Sequence, residues 1–527
     1  MNIETILSRI KNNSTNTVCV IDADGREIMR CFSEVAADIE KIIAEIEKSG
    51  LQKGDRVAMC SANTYEWIVW DIALLVSGMV SFMLPEEQLE QITFETVLAL
   101  QEKHRISLFV LSPSLFEALS PQNDNVLPMA IENVHINAHI KMHCGIHSED
   151  LMSCIYSSGT TGRPKGLLIS KHGLMNLLYH YNKTFGIYNT DLFLTFLPFS
   201  GQQQRNAYYG CLYYGCSFIS VPHSRIFQVL KEKKPTCMIA PPVFYETIYK
   251  IAANHARPNA NRSGQDAVGP NNTEQCDGAR LTNIFGGNIR YLITGMAPIN
   301  RLILEYYWQQ NIALYEAYGI NESGIVTWNC PGNVKLGSQG RLTEENSIRL
   351  AHDGEVIVAR QYPLSIGYFD SPEQDQENTF IGSGEVATGD IAEIDEKGFL
   401  TLIGRKKAII VTKQGKKFHP EEIEKKLSEF KCIEKSVVVS DDTSSEIIAI
   451  LKVSTYDDIM HNQLAKIVST INVTLSDYMK IDRFIAIDCP VTRENGLLTH
   501  SMKINRRQFV EQFILKSVSP PKEHANG

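Results

Sequence analysis

Residues 157–166 read SSGTTGRPKG, and their interpretation decides what kind of protein this is. The stretch holds three glycines, four hydroxyls and one proline directly ahead of Lys165. The run LMSCIY at 151–156 places it after a strand, and apolar Leu167 to Ile169 follow it. Glycines let backbone N–H groups turn inward, hydroxyls add donors and the lysine adds charge, which together make a nest for phosphate oxygens. Walker A spacing is absent: Pro164 precedes Lys165 and Gly166 follows it, where that motif needs Gly-Lys-Ser/Thr. A P-loop kinase or ATPase is therefore disfavoured. The plain alternative, a Gly/Ser turn with a solvated lysine, sits poorly with the loop's length and its apolar flanks.

The rest of the chain narrows the class. Its 527 residues exceed the usual size of one core, so two or more domains are expected. Net charge is -9 and no basic run dominates, which argues against a nucleic-acid partner or a polybasic membrane patch. Twelve cysteines are scattered without a CxxC pair, as expected of reduced thiols in a cytoplasmic protein. The start MNIETILSRIKNNSTN lacks the apolar run of a signal peptide. WIVWDIALLVSGMVSFML at 67–84 is interrupted by Asp71 and Gly78 and reads as a buried helix running into a strand, so no transmembrane segment is expected.

Short β-rich runs alternate with helical ones over much of the length, from RVAMCSAN at 56–63 to IRYLITG at 289–295. That alternation argues for a parallel sheet with crossover helices and a ligand crevice beyond the carboxyl ends of its strands. From about 335 short strands and glycine turns take over, as in GEVATGDIAEIDEKGFLTLIGR, giving a β-rich subdomain at about 335–403. The expected fold is thus α/β, with a large N-terminal domain over 1–403 and a small, mobile α+β domain over 404–527. A polar stretch at 254–283 reads as a surface insertion and SVSPPKEHANG as a disordered tail.

Several motifs now fall in a recognisable order. YSSGTTGRPKG, LITGMAPIN at 292–300, YEAYGINES at 315–323, ATGD at 387–390, GRKKAIIVTKQGKKFHPEEIE from 404 and ENGLLTHSMKINR at 494–506 together resemble the adenylate-forming superfamily of acyl-CoA synthetases, adenylation domains and firefly-type luciferases. The last motif and LPFSGQQQR at 197–205 look closest to the long-chain acyl-CoA synthetase branch.

The resemblance implies ATP, Mg2+ and a thiol, either CoA or the phosphopantetheine arm of an acyl carrier protein, together with a small-molecule carboxylic acid carrying an acyl chain. It places Ser157, Ser158, Gly159, Thr160, Thr161, Gly162 and Lys165 on the leaving phosphates, with Thr161 among the catalytic residues. Gly295, Met296 and Ala297, with Glu316, Ala317, Tyr318, Gly319 and Asn321, would form the nucleotide side, Tyr318 stacking on adenine. Glu322 matches the Mg2+-linked glutamate, and a hard carboxylate suits that ion. Asp390 resembles the aspartate that accepts the ribose hydroxyls, Arg405 a second nucleotide contact and Lys407 the hinge. Lys503 would insert beside the α-phosphate and stabilise charge developing in the transition state. Gly415 matches the glycine lining the thiol tunnel, although a hairpin turn explains it equally well.

Four departures qualify the match. The long-chain branch usually carries Ser-His and then Glu-Arg where this chain has FSGQQQR: Ser200 and Arg205 remain, but Gly201 and Gln204 replace the His and Glu. Either the pocket entrance is wider, or Gln202 to Gln204 serve a more polar acid. Asn321 also stands at the motif threonine, and Ala408 replaces a common acidic residue after the hinge. Apart from these, His135, His139, His143 and His147 recur every four residues, a spacing that on a helix would align imidazoles, yet the segment alternates in places like a strand. The leading expectation is a medium- or long-chain acyl-CoA synthetase working through an acyl-adenylate. The alternatives are a carrier-protein ligase and a catalytically silent binding protein on the same fold.

Overall fold

A computed structural model describes residues 2–84, 94–119, 126–131, 136, 150–157, 165–256, 281–412, 415–440, 446–492, 494–498 and 504–515. The histidine series, most of the insertion and the tail lie outside these residues.

Among the described residues the largest sheet has nine strands, in the order Arg341–Leu342, Gly324–Trp328, Leu314–Ile320, Tyr291–Thr294, Cys237–Ala240, Leu192–Thr195, Ser217–Ser220, Thr17–Ile21 and Glu27–Cys31. Its middle is parallel from Leu314–Ile320 through to Thr17–Ile21. Antiparallel hairpins close both edges. Such short, wholly apolar strands as Cys237–Ala240 need helices on both faces, and the intervening helices supply them.

A seven-stranded sheet lies beside it, ordered Ser365–Phe369, Lys165–Ser170, Leu151–Ser157, Val80–Met83, Arg56–Cys60, Ile106–Leu111 and Val126–Pro128. The helix Tyr65–Val76 is buried almost all round and shares one apolar cluster with both sheets, which is why its sequence could be mistaken for a membrane span. Thr64 caps it by accepting from the Trp67 N–H, and Val80–Met83 follows as the strand read at 67–84. No helix of the described residues is long and apolar enough to cross a membrane.

Beyond these sheets, Ile348–Leu350, Glu355–Ala359, Glu385–Ile394, Phe380–Gly382 and Leu400–Arg405 form an antiparallel sheet around Tyr318, Val356, Val386 and Leu400. After Arg405 the chain makes an exposed turn at Lys406 and Lys407. The residues that follow build two apolar clusters of their own, around Leu451 and around Ile450, on the sheet Lys435–Ser440, Ile447–Lys452 and Arg483–Ile487.

Candidate functional site

The glycine-rich loop has its two feet fixed. Leu151–Ser157 pairs antiparallel with Lys165–Ser170, and Ser157 stands opposite Lys165. Ser158 to Pro164, and with them Gly159, Thr160, Thr161 and Gly162, lie outside the described residues. The segments on either side of the loop are thus two antiparallel strands, unlike the strand and helix that flank a P-loop.

Lys165 Nζ sits 2.9 Å from Asp375 Oδ2 and 4.9 Å from the centre of the Tyr368 ring. The Tyr368 hydroxyl donates to Glu322 Oε1 at 2.8 Å. Burial, reinforced by Glu322, holds that phenol well above its ordinary value, so it stays a donor. Lysine, tyrosine and glutamate therefore form one rim, carried by three strand ends. Ser365–Phe369 brings Tyr368 there by pairing with Lys165–Ser170, Tyr368 opposite Leu167. No motif named above assigns Tyr368 or Asp375 a role. Among the described residues Glu322 is the carboxylate of this rim that could hold a metal ion. Mg2+ takes few protein ligands and retains waters, so one carboxylate beside substrate phosphates fits that ion. No group of three or more His, Cys, Asp or Glu poised for a metal occurs among the described residues.

The second wall is the edge between Tyr291–Thr294 and Leu314–Ile320, paired in parallel. Gly295 ends the first strand so close to the second that a Cβ would lie 2.9 Å from the Ala317 carbonyl oxygen. Met296 then takes φ +72°, a left-handed conformation rare for a side chain of this kind, and Ala297 continues the turn. Tyr318 donates to Asp390 Oδ2 at 2.9 Å, and Arg405 Nε lies 2.8 Å from Asp390 Oδ1. Asp390 and Arg405 are direct cross-strand neighbours. Phenol and guanidinium thus hold one carboxylate oxygen each. Burial and the Asp390 charge keep the Tyr318 phenol protonated. Glu316 alone of this group turns away: its carboxylate accepts from the Gly337 N–H at 3.2 Å, and burial pushes its pKa up to about 8.

Behind this edge opens a cavity of about 120 Å³. Gly295, Met296, Ala317, Tyr318, Gly319 and Asn321 line one end; Tyr181, Asp191, Cys211, Cys216, Cys237 and Tyr291 line the other. The helix Gln202–Tyr214 contributes Gln202, Gln203, Asn206, Ala207, Gly210 and Cys211 along one face. Gln202 is engaged with Asn206 at 2.8 Å. Gln204 and Arg205 point elsewhere. Arg205 is fully buried and grips Asp71 with Nε and Nη2 at 3.0 and 2.6 Å, while Tyr208 and Tyr209 donate to the same carboxylate. The arginine retained from the long-chain motif is thus a strut between helices, and Asp71, which interrupts the apolar run at 67–84, is its partner. A Cβ on Gly201 would come no nearer than 3.4 Å to the Pro198 carbonyl oxygen, so the replacement of the motif histidine leaves open space at the helix start.

Lys503 lies outside the described residues, but the segment that carries it is framed: Leu498 bridges Ile504, and Asn505 N–H donates to the Leu497 carbonyl. Arg506, half-buried against Glu421 and Glu424, ties that frame to the helix Pro420–Leu427. Gly415 sits in a hairpin turn at φ +72° with nothing near its missing Cβ. Polar contacts reach across from this region to the large sheets: Lys250 to Glu434 at 2.6 Å, Lys435 to Glu246 at 2.9 Å and Asn300 Nδ2 to the Ser428 carbonyl at 2.7 Å.

Comparison with known proteins agrees with this arrangement. The chain is 27% identical to the long-chain-fatty-acid–CoA ligase FadD15 of Mycobacterium bovis over 91% of this chain and 90% of that one. It is 24% identical to long chain acyl-CoA synthetase 3 of Arabidopsis thaliana over 93% and 86%. Among solved structures, the anthranilate CoA ligase AuaEII in complex with anthranoyl-AMP superposes with a TM-score of 0.76 at 17% identity, covering 98% of each chain. The o-succinylbenzoate CoA synthetase of Bacillus subtilis, in complex with ATP and magnesium ion, gives 0.70 at 18% identity over 96% and 98%. These two likenesses are of fold. The sequence model of the AMP-binding enzyme matches residues 8–361 and that of the AMP-binding enzyme C-terminal domain matches residues 407–516, so the chain belongs to the AMP-binding enzyme family.

Proposed function

We propose that this AMP-binding enzyme is an acid–thiol ligase that activates a medium- or long-chain, largely apolar carboxylic acid as its acyl-adenylate and passes the acyl group to CoA. The observation that carries it is the cavity: an apolar chamber whose mouth is built from the same Ala317–Asn321 segment that holds Tyr318 on Asp390 and leads into Glu322. Relatives aligned along nine-tenths of the chain bear the names of fatty-acid and long-chain acyl-CoA ligases.

In the first step a carboxylate oxygen of the acid attacks the α-phosphorus of ATP and pyrophosphate leaves. Two anions must meet, so cationic and donor groups have to offset their repulsion. The 158–164 loop and Lys165 hold the leaving phosphates, and Lys165 must exchange its Asp375 partner for them. Asp390 accepts the ribose hydroxyls, Arg405 orients Asp390 through its 2.8 Å contact, and Tyr318 packs on the base. Glu322, held by Tyr368, provides the carboxylate for Mg2+, which when bound neutralises phosphate charge. Lys503 supplies the positive charge at the α-phosphate. In the second step the thiolate attacks the acyl carbon and AMP leaves. We place the hinge for this exchange at Lys407, between a large domain over 1–403 and a small one over 404–527, with Gly415 lining the thiol path.

The test supplies ATP, Mg2+ and a panel of acids with CoA in one reaction and holo-carrier protein in another, with products read by mass. Acyl-CoA, AMP and pyrophosphate in equal amounts are expected. Acylated carrier with no acyl-CoA would replace the acceptor, and no AMP with any acid would overturn the reading.

A further inference from the structure

The acyl cavity has a measurable depth and one thin wall. On the helix Gln202–Tyr214 its lining runs from Gln202 to Cys211, which at 1.5 Å per residue is about 13 Å. On the strand side it runs from Gly295 down to Tyr291, again about 13 Å at roughly 3.3 Å per residue. Two elements of different pitch give the same depth. An extended alkyl chain, with bonds of ~1.5 Å at angles of ~111°, advances about 1.25 Å per bond, so the chamber holds roughly ten bonds. A sixteen-carbon chain would overrun it by about 6 Å on the same geometry.

Most of the floor is rigid. The Tyr181 and Tyr291 hydroxyls are hydrogen-bonded at 2.8 Å, with Phe185 and Trp328 packed against these rings. Asp191 is clamped by Arg290 at 2.7 Å. Ile187 differs. It lines the cavity, its Cδ1 lying 3.7 Å from where a Cβ on Gly210 would stand, and it also lines a separate surface hollow with Phe185, Tyr188 and Arg290. Ile187 is thus the one described residue common to the linings of the acyl chamber and the hollow.

We propose that Ile187 is the end stop of the acyl pocket and restricts this enzyme to straight-chain acids of about ten to twelve carbons. The proposal rests on the acid-activating reading above and decides between its medium- and long-chain forms. Truncating Ile187 joins the two spaces and lets a longer chain run out into the hollow, whereas a bulky residue at Ala207, about 7 Å below Gln202 by helical rise, raises the floor.

The experiment is a competition in one tube: hexanoate, decanoate and hexadecanoate at equal concentration with ATP, Mg2+ and CoA, the three acyl-CoA products counted by mass. Ratios within one tube do not depend on how much protein is folded. The native enzyme should favour decanoate over hexadecanoate tenfold or more, Ile187→Ala should raise the hexadecanoate share at least tenfold, and Ala207→Phe should move the preference to hexanoate. A native preference for hexadecanoate, or ratios unmoved in both variants, overturns the end stop while leaving acid activation standing. No acyl-CoA from any acid overturns both.

Discussion

At Glu316 a carboxyl is buried beside its functional neighbours without facing them. Its pKa of about 8 in the fold lies above the ordinary 4.5, so folding takes up a proton between those values. The stability it contributes is present in full below pH 4.5 and is lost as pH rises through 8. Glu316→Gln keeps an acceptor for Gly337 and removes the titration, so the melting temperature of the variant relative to native should rise between pH 5.5 and 8.5. A constant difference across that range would mean Glu316 is ionised in the fold. Tyr368 is the complementary case, a residue that touches a proposed ligand. Partners of metal-binding side chains typically tune affinity 10- to 100-fold, so Tyr368→Phe should raise the Mg2+ concentration for half-maximal activity about tenfold. An unchanged Mg2+ requirement would detach Tyr368 from that role. The motifs singled out Glu322, Asp390 and Lys165 as candidates, because short, ordered stretches carry them. Tyr368 and Asp375 were not among them, because they reach the rim through pairing of Tyr368 with Leu167, a contact no local spacing encodes.

The helix Gln202–Tyr214 shows what an element can do with two faces. One face lines the cavity, and the other carries Arg205, Tyr208 and Tyr209 into Asp71 of the helix Tyr65–Val76. Removing one partner of a buried ion pair strands the other charge, at a cost of about 3–5 kcal/mol. Arg205→Ala should therefore lower the unfolding free energy by that amount in a denaturant titration, and Asp71→Asn with Arg205→Met should lose less than the two single changes summed. A loss below about 1 kcal/mol for Arg205→Ala, the range of exposed pairs, would contradict this assignment. The sequence showed Asp71 as an interruption and Arg205 as a motif remnant, but their pairing is a long-range fact. Likewise the strands at 151–157 and 165–170 were readable as apolar runs, whereas the antiparallel pairing of Lys165–Ser170 with Ser365–Phe369 joins segments far apart in the chain.

For the whole molecule, the apolar clusters after Ile410 are separate from those of the large sheets, and the contacts bridging them include exposed ion pairs such as Lys250–Glu434. Such pairs are individually worth about 0–1 kcal/mol, which is compatible with the proposed re-docking of this body between two half-reactions. If Lys503 serves only the first, Lys503→Ala should slow adenylation by about a hundredfold or more yet leave thioester formation from supplied acyl-adenylate intact. Loss of both would contradict the alternation. The change of texture near 335 and again near 404 was visible in the sequence because short strands, glycine turns and helix periodicity alternate differently there. The depth of the cavity was not, since it is set jointly by a helix face and a strand edge. The central claim, activation of an acid on the α-phosphate of ATP, is met most directly by exchange of labelled pyrophosphate into ATP. With decanoate present and CoA absent, label should enter ATP, and without acid it should not. Exchange that ignores the acid, or none with any acid, would contradict it.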